Sequence, residues 1–107
     1  MNISLEYEGK EYVLEYSKQA VRTMENQGFN IDLIGEKPTT MVPLLFKGAF
    51  IKNHKETKSR IVDAIYDIID KDELIITLAE MYMETVNSVL AGNEGDEAKK
   101  IKWTKNE

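Results

Sequence analysis

The side chains that could do chemistry in this sequence of 107 residues are one histidine and a few paired carboxylates. His54 could act as a general base, but the chain contains no cysteine and no motif that supplies a partner. Glu80 and Glu84 are four residues apart, as are Asp63 and Asp67, so each pair would lie on one helix face. Without a Glu-x-x-His motif, these pairs do not predict a di-metal bundle. We interpret them as solvated helix faces, and the histidine as a surface or capping residue whose cationic form suits a helix end.

Other sequence motifs that mark catalytic or binding sites are incomplete or absent. Asp70-Lys71-Asp72 begins like a calcium-binding loop, but Leu74 stands where the third oxygen ligand belongs. The sequence has no glycine-rich dinucleotide motif, no P-loop lysine and no H-E-x-x-H motif. We therefore predict no cofactor and no metal, and a protein that binds another protein and is not an enzyme.

Composition narrows the class of protein further. The sequence is 42% hydrophobic and 31% charged, which is typical of one globular domain. It shows no secretory signal, and its longest apolar stretches are far shorter than the ~20 residues of a membrane span. The net charge of −5 disfavours nucleic acid as a partner, because such binding depends on basic residues. We expect a cytoplasmic protein without membrane contact.

Alternating apolar and polar residues predict a β-hairpin over residues 1–16. A two-residue turn at Glu8-Gly9 pairs Leu5 with Tyr12 and gathers the apolar residues of both strands on one face. Two strands are marginal alone, so this face must pack on something. Residues 17–91 predict four to five helices around one core. The expected fold is α+β, mainly α, with residues 1–91 as a single domain.

The first helices have predictable ends. Ser17 is a good cap for a helix that stops at Gly28. Residues 41–51 are apolar nearly all round and predict a central, buried helix. We expect a preceding threonine to cap it and Pro43 to lie in its first turn. Gly48 would let a neighbouring element approach closely.

The second half predicts helix over residues 61–90, either as one bent helix or as two that break at Asp70-Lys71-Asp72. Asp70 with Glu73 resembles a capping box for the second helix, and Gly92 is its predicted end. Residues 92–107 are mostly small and charged and predict a flexible, disordered tail. The inward stripe of the second helix is predicted to be Leu74, Ile75, Leu78, Met81, Tyr82, Val86, Val89 and Leu90.

Candidates for contact with a partner are adaptable or aromatic side chains. Methionine suits surfaces that must fit a flexible partner, and Met83 lies off the inward stripe. The tryptophan of the tail is either an anchor for a partner or docks on its own domain. The candidate partner-binding residues are Phe46, Phe50, Met81, Tyr82, Met83 and Trp103.

Charge is distributed unevenly along the chain. Residues 47–60 carry five basic side chains against one acidic, and residues 70–91 carry five acidic against one basic. These stretches are either solvated helix faces or complementary patches through which copies associate head to tail.

Three segments carry a resemblance when they are taken together. They are YEGKEYVLEYS, QAVRTMENQGFNIDLIGEKPTTMVPLLFKGAFIKNH and ELIITLAEMYMETVNSVL, followed by a charged tail with one tryptophan. The pattern, over about residues 1–91, resembles the small tail assembly chaperones of siphophages and prophages of Gram-positive bacteria. Its most specific stretch runs from Met24 to His54 and includes Gly28-Phe29, Lys37-Pro38 and the run from Pro43 to Phe50.

The resemblance implies a non-enzymatic phage tail assembly chaperone. Such a protein binds the long, largely helical tape measure protein, keeps it soluble and helps the major tail protein to polymerise around it. It acts in the host cytoplasm and is absent from the finished virion. Family members tend to self-associate, and some have a longer form made by ribosomal frameshifting.

Two other functions stay open at this point. The protein could be a prophage regulatory protein that binds a host or phage protein, and the identity of its partner would distinguish this from tail assembly. DNA binding through residues 47–60 would instead predict salt-sensitive retardation of duplex DNA.

Overall fold

A computed structural model describes residues 1–91 and 101–106 of the chain. Within them, a β-hairpin followed by five helices confirms the predicted α+β, mainly α fold. Residues 101–106 have no regular secondary structure, and the predicted helix end at Gly92 lies outside the described residues. The elements are β1 (Ile3–Tyr7), β2 (Lys10–Leu14), α1 (Lys18–Asn26), a 3-10 helix (Ile31–Leu33), α2 (Pro38–Gly48), α3 (Ile51–His54), α4 (Ser59–Ile68) and α5 (Leu74–Ala91).

The hairpin has the predicted register. Leu5 lies opposite Tyr12, and the strands are joined by the two residues Glu8 and Gly9. Both turn residues have positive φ, 50° and 79°, as in the turn type whose twist matches that of paired strands. The inner face of β2 is buried, including Leu14, so the hairpin packs on the helices as expected.

The ends of α1 also follow the prediction. The side chain of Ser17 accepts a hydrogen bond from the backbone N–H of Ala20 at 3.1 Å. Gly28 has a φ of 96°, which reverses the chain after the last turn. The N–H of Phe29 then donates to the carbonyl of Met24 at 2.9 Å, and the phenylalanine ring is buried.

Helix α2 begins earlier and ends sooner than the sequence predicts. Its first residue is Pro38, where a missing N–H costs nothing, so no threonine caps it and Pro43 lies inside the helix. It ends at Gly48, and a tight turn separates it from α3, so residues 41–51 are not one helix. The carbonyl of Ala49, in that turn, accepts a hydrogen bond from the N–H of Glu15 at 2.9 Å. This long-range bond fixes the turn to the end of β2.

Helices α4 and α5 are separate, with the break at residues 69–73. The predicted capping box does not form, because α5 starts only at Leu74, immediately after Glu73. Glu73 has a φ of 59°, a left-handed conformation that cannot continue a helix. The carboxylate of Asp70 instead accepts a hydrogen bond from the N–H of Asp72 at 2.9 Å, within the connection.

The core is centred on α2, as predicted for a helix with little polar surface. A methyl group added at Gly48 would lie 2.6 Å from Cγ of Met24, so the glycine permits α1 to pack closely on α2. The largest fully buried side chains come from β2, α1, α2 and α5 and are Phe46, Leu14, Met24, Leu45 and Leu78.

Candidate functional site

The single histidine has a structural position between α3 and the hairpin. Nε2 of His54 accepts a hydrogen bond from the backbone N–H of Val13 at 2.9 Å, and its ring lies edge-on to Tyr12. His54 lies in the last turn of α3, at a helix end as predicted, and this bond ties that turn to β2. Asn53 donates from its amide to the carbonyl of Val13 at 3.2 Å. The two side chains therefore cover the outer edge of β2.

The carboxylates do not converge on a site. Glu15 pairs with Lys52 at 2.9 Å, and the hydrogen bonds from Lys52 and from Asn53 lower the pKa of its carboxyl. Among residues 1–91 and 101–106, no group of three histidine, aspartate or glutamate side chains could hold a metal ion. A groove of about 340 Å³ between α1 and α3 is lined by Gln19 and Lys55 but contains no acid–base pair.

Four of the six candidate partner-binding residues lie in the core. The exposed fractions of Phe46, Phe50, Met81 and Tyr82 are 1, 3, 2 and 5%. The rings of Phe46 and Phe50 pack edge-on at 5.3 Å between ring centres, and the ring of Tyr82 packs edge-on against Phe29 at 5.0 Å. A partner could contact them only if the core opened, so the structure assigns these four side chains to the fold.

The other two candidates are exposed. Met83 is 38% exposed on α5, and Trp103 is 84% exposed in the irregular segment 101–106. Trp103 therefore does not dock on its own domain. Met83, unlike the tryptophan, belongs to a larger apolar surface.

That surface is a stripe along α5. Ile76, Met83 and Leu90 are all exposed and recur at intervals of seven residues. Ala79 and Val86 lie between them and are half-buried. This alternating spacing of three and four residues aligns all five side chains along one side of the helix. We refer to Ile76, Ala79, Met83, Val86 and Leu90 as the α5 seam.

Val86, at the edge of the seam, packs against the core, and the rest of the core contact is made by another side of α5. Leu74, Leu78, Met81 and Tyr82 are buried there, and the helix contacts α1 and α2. Val89 and Leu90, which the sequence assigned to the inward stripe, are 50 and 80% exposed. Helix α5 therefore has two apolar sides: the fold buries one, and it covers the other only in part, at Ala79 and Val86.

The polar flank of the seam is acidic. Helix α5 contains Glu80 and Glu84 and no lysine or arginine over its 18 residues. At 100° per residue, both glutamates lie beside the seam on the side away from Tyr82. The amino group of Met1 lies 3.8 Å from the carboxylate of Glu84. Both the apolar stripe and its acidic border face solvent.

Helix α5 is also long and apolar enough, by length and composition, to cross a membrane. Its two glutamates lie in the middle of the helix, where carboxylates are costly in a bilayer. Its buried side is committed to packing against α1 and α2. Both features count against α5 as a membrane span.

Sequence reasoning missed most of the seam. The inward stripe predicted from the sequence leaves out Ile76 and includes Val86 and Leu90. The repeat of seven residues that joins Ile76, Met83 and Leu90 is visible in the sequence, but the inward stripe has a similar spacing.

Comparison with known proteins gives the family of the chain. No curated protein and no solved structure matches it. A family model described as a domain of unknown function, DUF5055, matches residues 1–106. Since the match extends over nearly the whole sequence, the chain belongs to the DUF5055 family.

Proposed function

We propose that this protein is a non-enzymatic phage tail assembly chaperone. It binds the tape measure protein in the host cytoplasm, keeps it soluble and assists assembly of the tail tube, and it is absent from the finished virion. The resemblance of residues 1–91 to such chaperones is one support. The observation that carries the proposal is the α5 seam, an exposed apolar stripe with the spacing that helices use to pack on one another.

The apolar character of the α5 seam is suited to binding the tape measure protein, which we call the client. A long helical protein without its assembly partners exposes apolar stripes, which aggregate in water. A small protein that covers such a stripe with its own would keep the client soluble. The net charge of −5 would help the complex to stay dispersed.

The basic segment, residues 47–60, is a weaker candidate for the functional surface than the α5 seam. Two of its lysines, Lys47 and Lys52, lie within 4 Å of acidic side chains of the same chain, Asp63 and Glu15. Intramolecular pairing reduces the charge that residues 47–60 could offer to phosphates. We therefore prefer tail assembly to DNA binding.

The test is co-expression with the tape measure protein of the same genome. We expect the tape measure protein to move into the soluble fraction and to co-purify with this chain, but not with an unrelated acidic protein of similar size. The proposal fails if the tape measure protein stays insoluble and unbound while this chain is folded. Recovery of a repressor or host factor instead would establish the regulatory alternative.

A further inference from the structure

We infer that the α5 seam is the docking surface for one amphipathic helix of another protein, and that this helix carries lysine or arginine beside its apolar seam. The inference rests on the proposed function for the identity of the client. The chemistry of the partner follows from α5 alone.

The length and spacing of the seam indicate a helix as the occupant. Ile76 and Leu90 are fourteen positions apart, which is about 21 Å along the axis at 1.5 Å per residue. Its spacing of three and four residues is that of two interlocking helices, in which each side chain enters a gap on the partner. An extended strand would instead seek unpaired backbone groups, which a helix does not offer.

Three of the five seam residues, Ile76, Met83 and Leu90, are exposed in the described part of the chain, whereas Val86 also packs against the core. The two end positions of the seam, Ile76 and Leu90, are 64 and 80% exposed, although α5 buries a second apolar side against α1 and α2. On the surface of a single domain, isoleucine and leucine at regular spacing indicate a contact surface for a partner.

The charges beside the α5 seam indicate whether its occupant is a second copy of this chain or a different protein. If two copies paired through their seams, Glu80 would face the partner's Glu80 side in antiparallel orientation and the partner's Tyr82 side in parallel orientation. The helix offers no lysine or arginine to compensate in either orientation, and the amino group of Met1 lies near Glu84, the glutamate farther from the seam. A partner helix with basic residues on the glutamate side would form opposite-charge pairs, and the docking would weaken with salt.

The test uses two synthetic helical peptides of equal length, both with leucine at every seam position. One carries lysine and the other glutamate at the flanking positions, and binding is measured by fluorescence anisotropy of the labelled peptide. We expect the lysine peptide to bind the intact chain and the glutamate peptide to bind at least tenfold more weakly. Glu80→Lys combined with Glu84→Lys should reverse this preference.

The seam itself is tested with Ile76→Ser combined with Met83→Ser. We expect at least a tenfold loss of affinity for the lysine peptide. The matched control is Ile68→Ser, which removes an isoleucine of α4 that is 72% exposed and lies outside the seam. An equal loss in the control would overturn the inference, as would equal binding of the two peptides. A dimer of the intact chain that dissociates on seam substitution would overturn it in favour of a second copy.

Co-expression separates this inference from the proposed function. If the seam variant solubilises the tape measure protein as well as the intact chain does, the docking surface is wrong and the function stands. If the intact chain fails to solubilise it but binds the lysine peptide through the seam, the function is wrong and the docking surface stands.

Discussion

Helices α2 and α5 are both rich in apolar residues, and the fold uses them differently. Helix α2 lies against α1, α4, α5 and the 3-10 helix, and it buries Met41, Leu45 and Phe46. Helix α5 contacts α1 and α2 on one side and exposes Ile76, Met83 and Leu90 on another. Apolar composition thus marks a core helix in one case and a helix with an exposed apolar stripe in the other. The number of neighbouring elements makes the difference.

The comparison of α2 with α5 predicts that the largest loss of folding stability follows substitution of Phe46. Its ring lies 5.0 Å from that of Tyr66 and 5.3 Å from that of Phe50, and it is fully buried. We expect Phe46→Ala to lower the free energy of unfolding by about 3–5 kcal/mol, because it leaves a cavity at the centre of the core. Urea denaturation followed by circular dichroism measures the loss. Ile76→Ala is the control on α5 and should change stability by less than about 0.5 kcal/mol; similar losses in both would contradict the comparison.

A smaller loss of folding stability is expected from a substitution at the contact between α2 and α1. Gly48→Ala would place a methyl group against the fully buried side chain of Met24, at a cost of about 1–3 kcal/mol of overpacking. Gly35→Ala is the control, because its new methyl group would have no neighbour within 4 Å. In a Met24→Ala background the cost of Gly48→Ala should shrink or vanish. Thermal denaturation of the intact chain and these four variants measures the losses. If the close packing of α1 on α2 were not the cause, Gly48→Ala would cost as much stability in the Met24→Ala background as in the intact chain.

The loss of stability at alkaline pH tests the contact between α2 and Tyr16, a residue that follows the hairpin. The buried hydroxyl of Tyr16 donates to the carbonyl of Leu45, on α2, at 2.6 Å, and burial raises the pKa of this tyrosine. Because the folded state resists ionisation, its stabilising contribution is complete below the unfolded pKa of about 10 and declines above it. The decline is about 1.4 kcal/mol per pH unit for one such group.

Denaturation curves measured from neutral to alkaline pH provide the readout. In Tyr16→Phe the loss of stability above pH ~10 should be shallower than in the intact chain, since the unfolded chain has one ionisable phenol fewer. Burial also raises the pKa of Tyr82, which is present in both proteins and keeps some alkaline dependence. Equal slopes in the two proteins would show that Tyr16 ionises freely in the fold.

The smallest effect on stability is expected at the α5 seam. Ile76→Ser with Met83→Ser should change the free energy of unfolding by less than about 0.5 kcal/mol per site, because both side chains are exposed. Leu78→Ala, on the buried side of the same helix, should cost about 2–5 kcal/mol. Parallel urea titrations of the two variants test this. A large loss from the seam substitutions would mean that the seam is part of the core.

Much of the local structure could be predicted from the residues. The hairpin register, the cap at Ser17, the reversal at Gly28 and the break near Asp70 all depend on residues within a few positions of one another. Alternation, side-chain caps and glycine at positive φ act over that range, so their signals are readable in sequence order. The expectation of a close approach at Gly48 was also correct, although its partner Met24 could not be named.

Some errors are local: α2 begins at Pro38 without a threonine cap, and the capping box at Asp70 does not form. Others concern contacts between distant segments, since the end of α2 at Gly48 is tied to the end of β2 by the bond between Ala49 and Glu15. On α5 the predicted inward stripe is correct from Leu74 to Val86, but the residues cannot show where packing against the core ends, so Val89 and Leu90 were misplaced. Periodicity fixes where a side chain points around its helix, whereas burial depends on which elements pack against it. That packing made the Phe46 side of α2 part of the core and left Ile76, Met83 and Leu90 exposed.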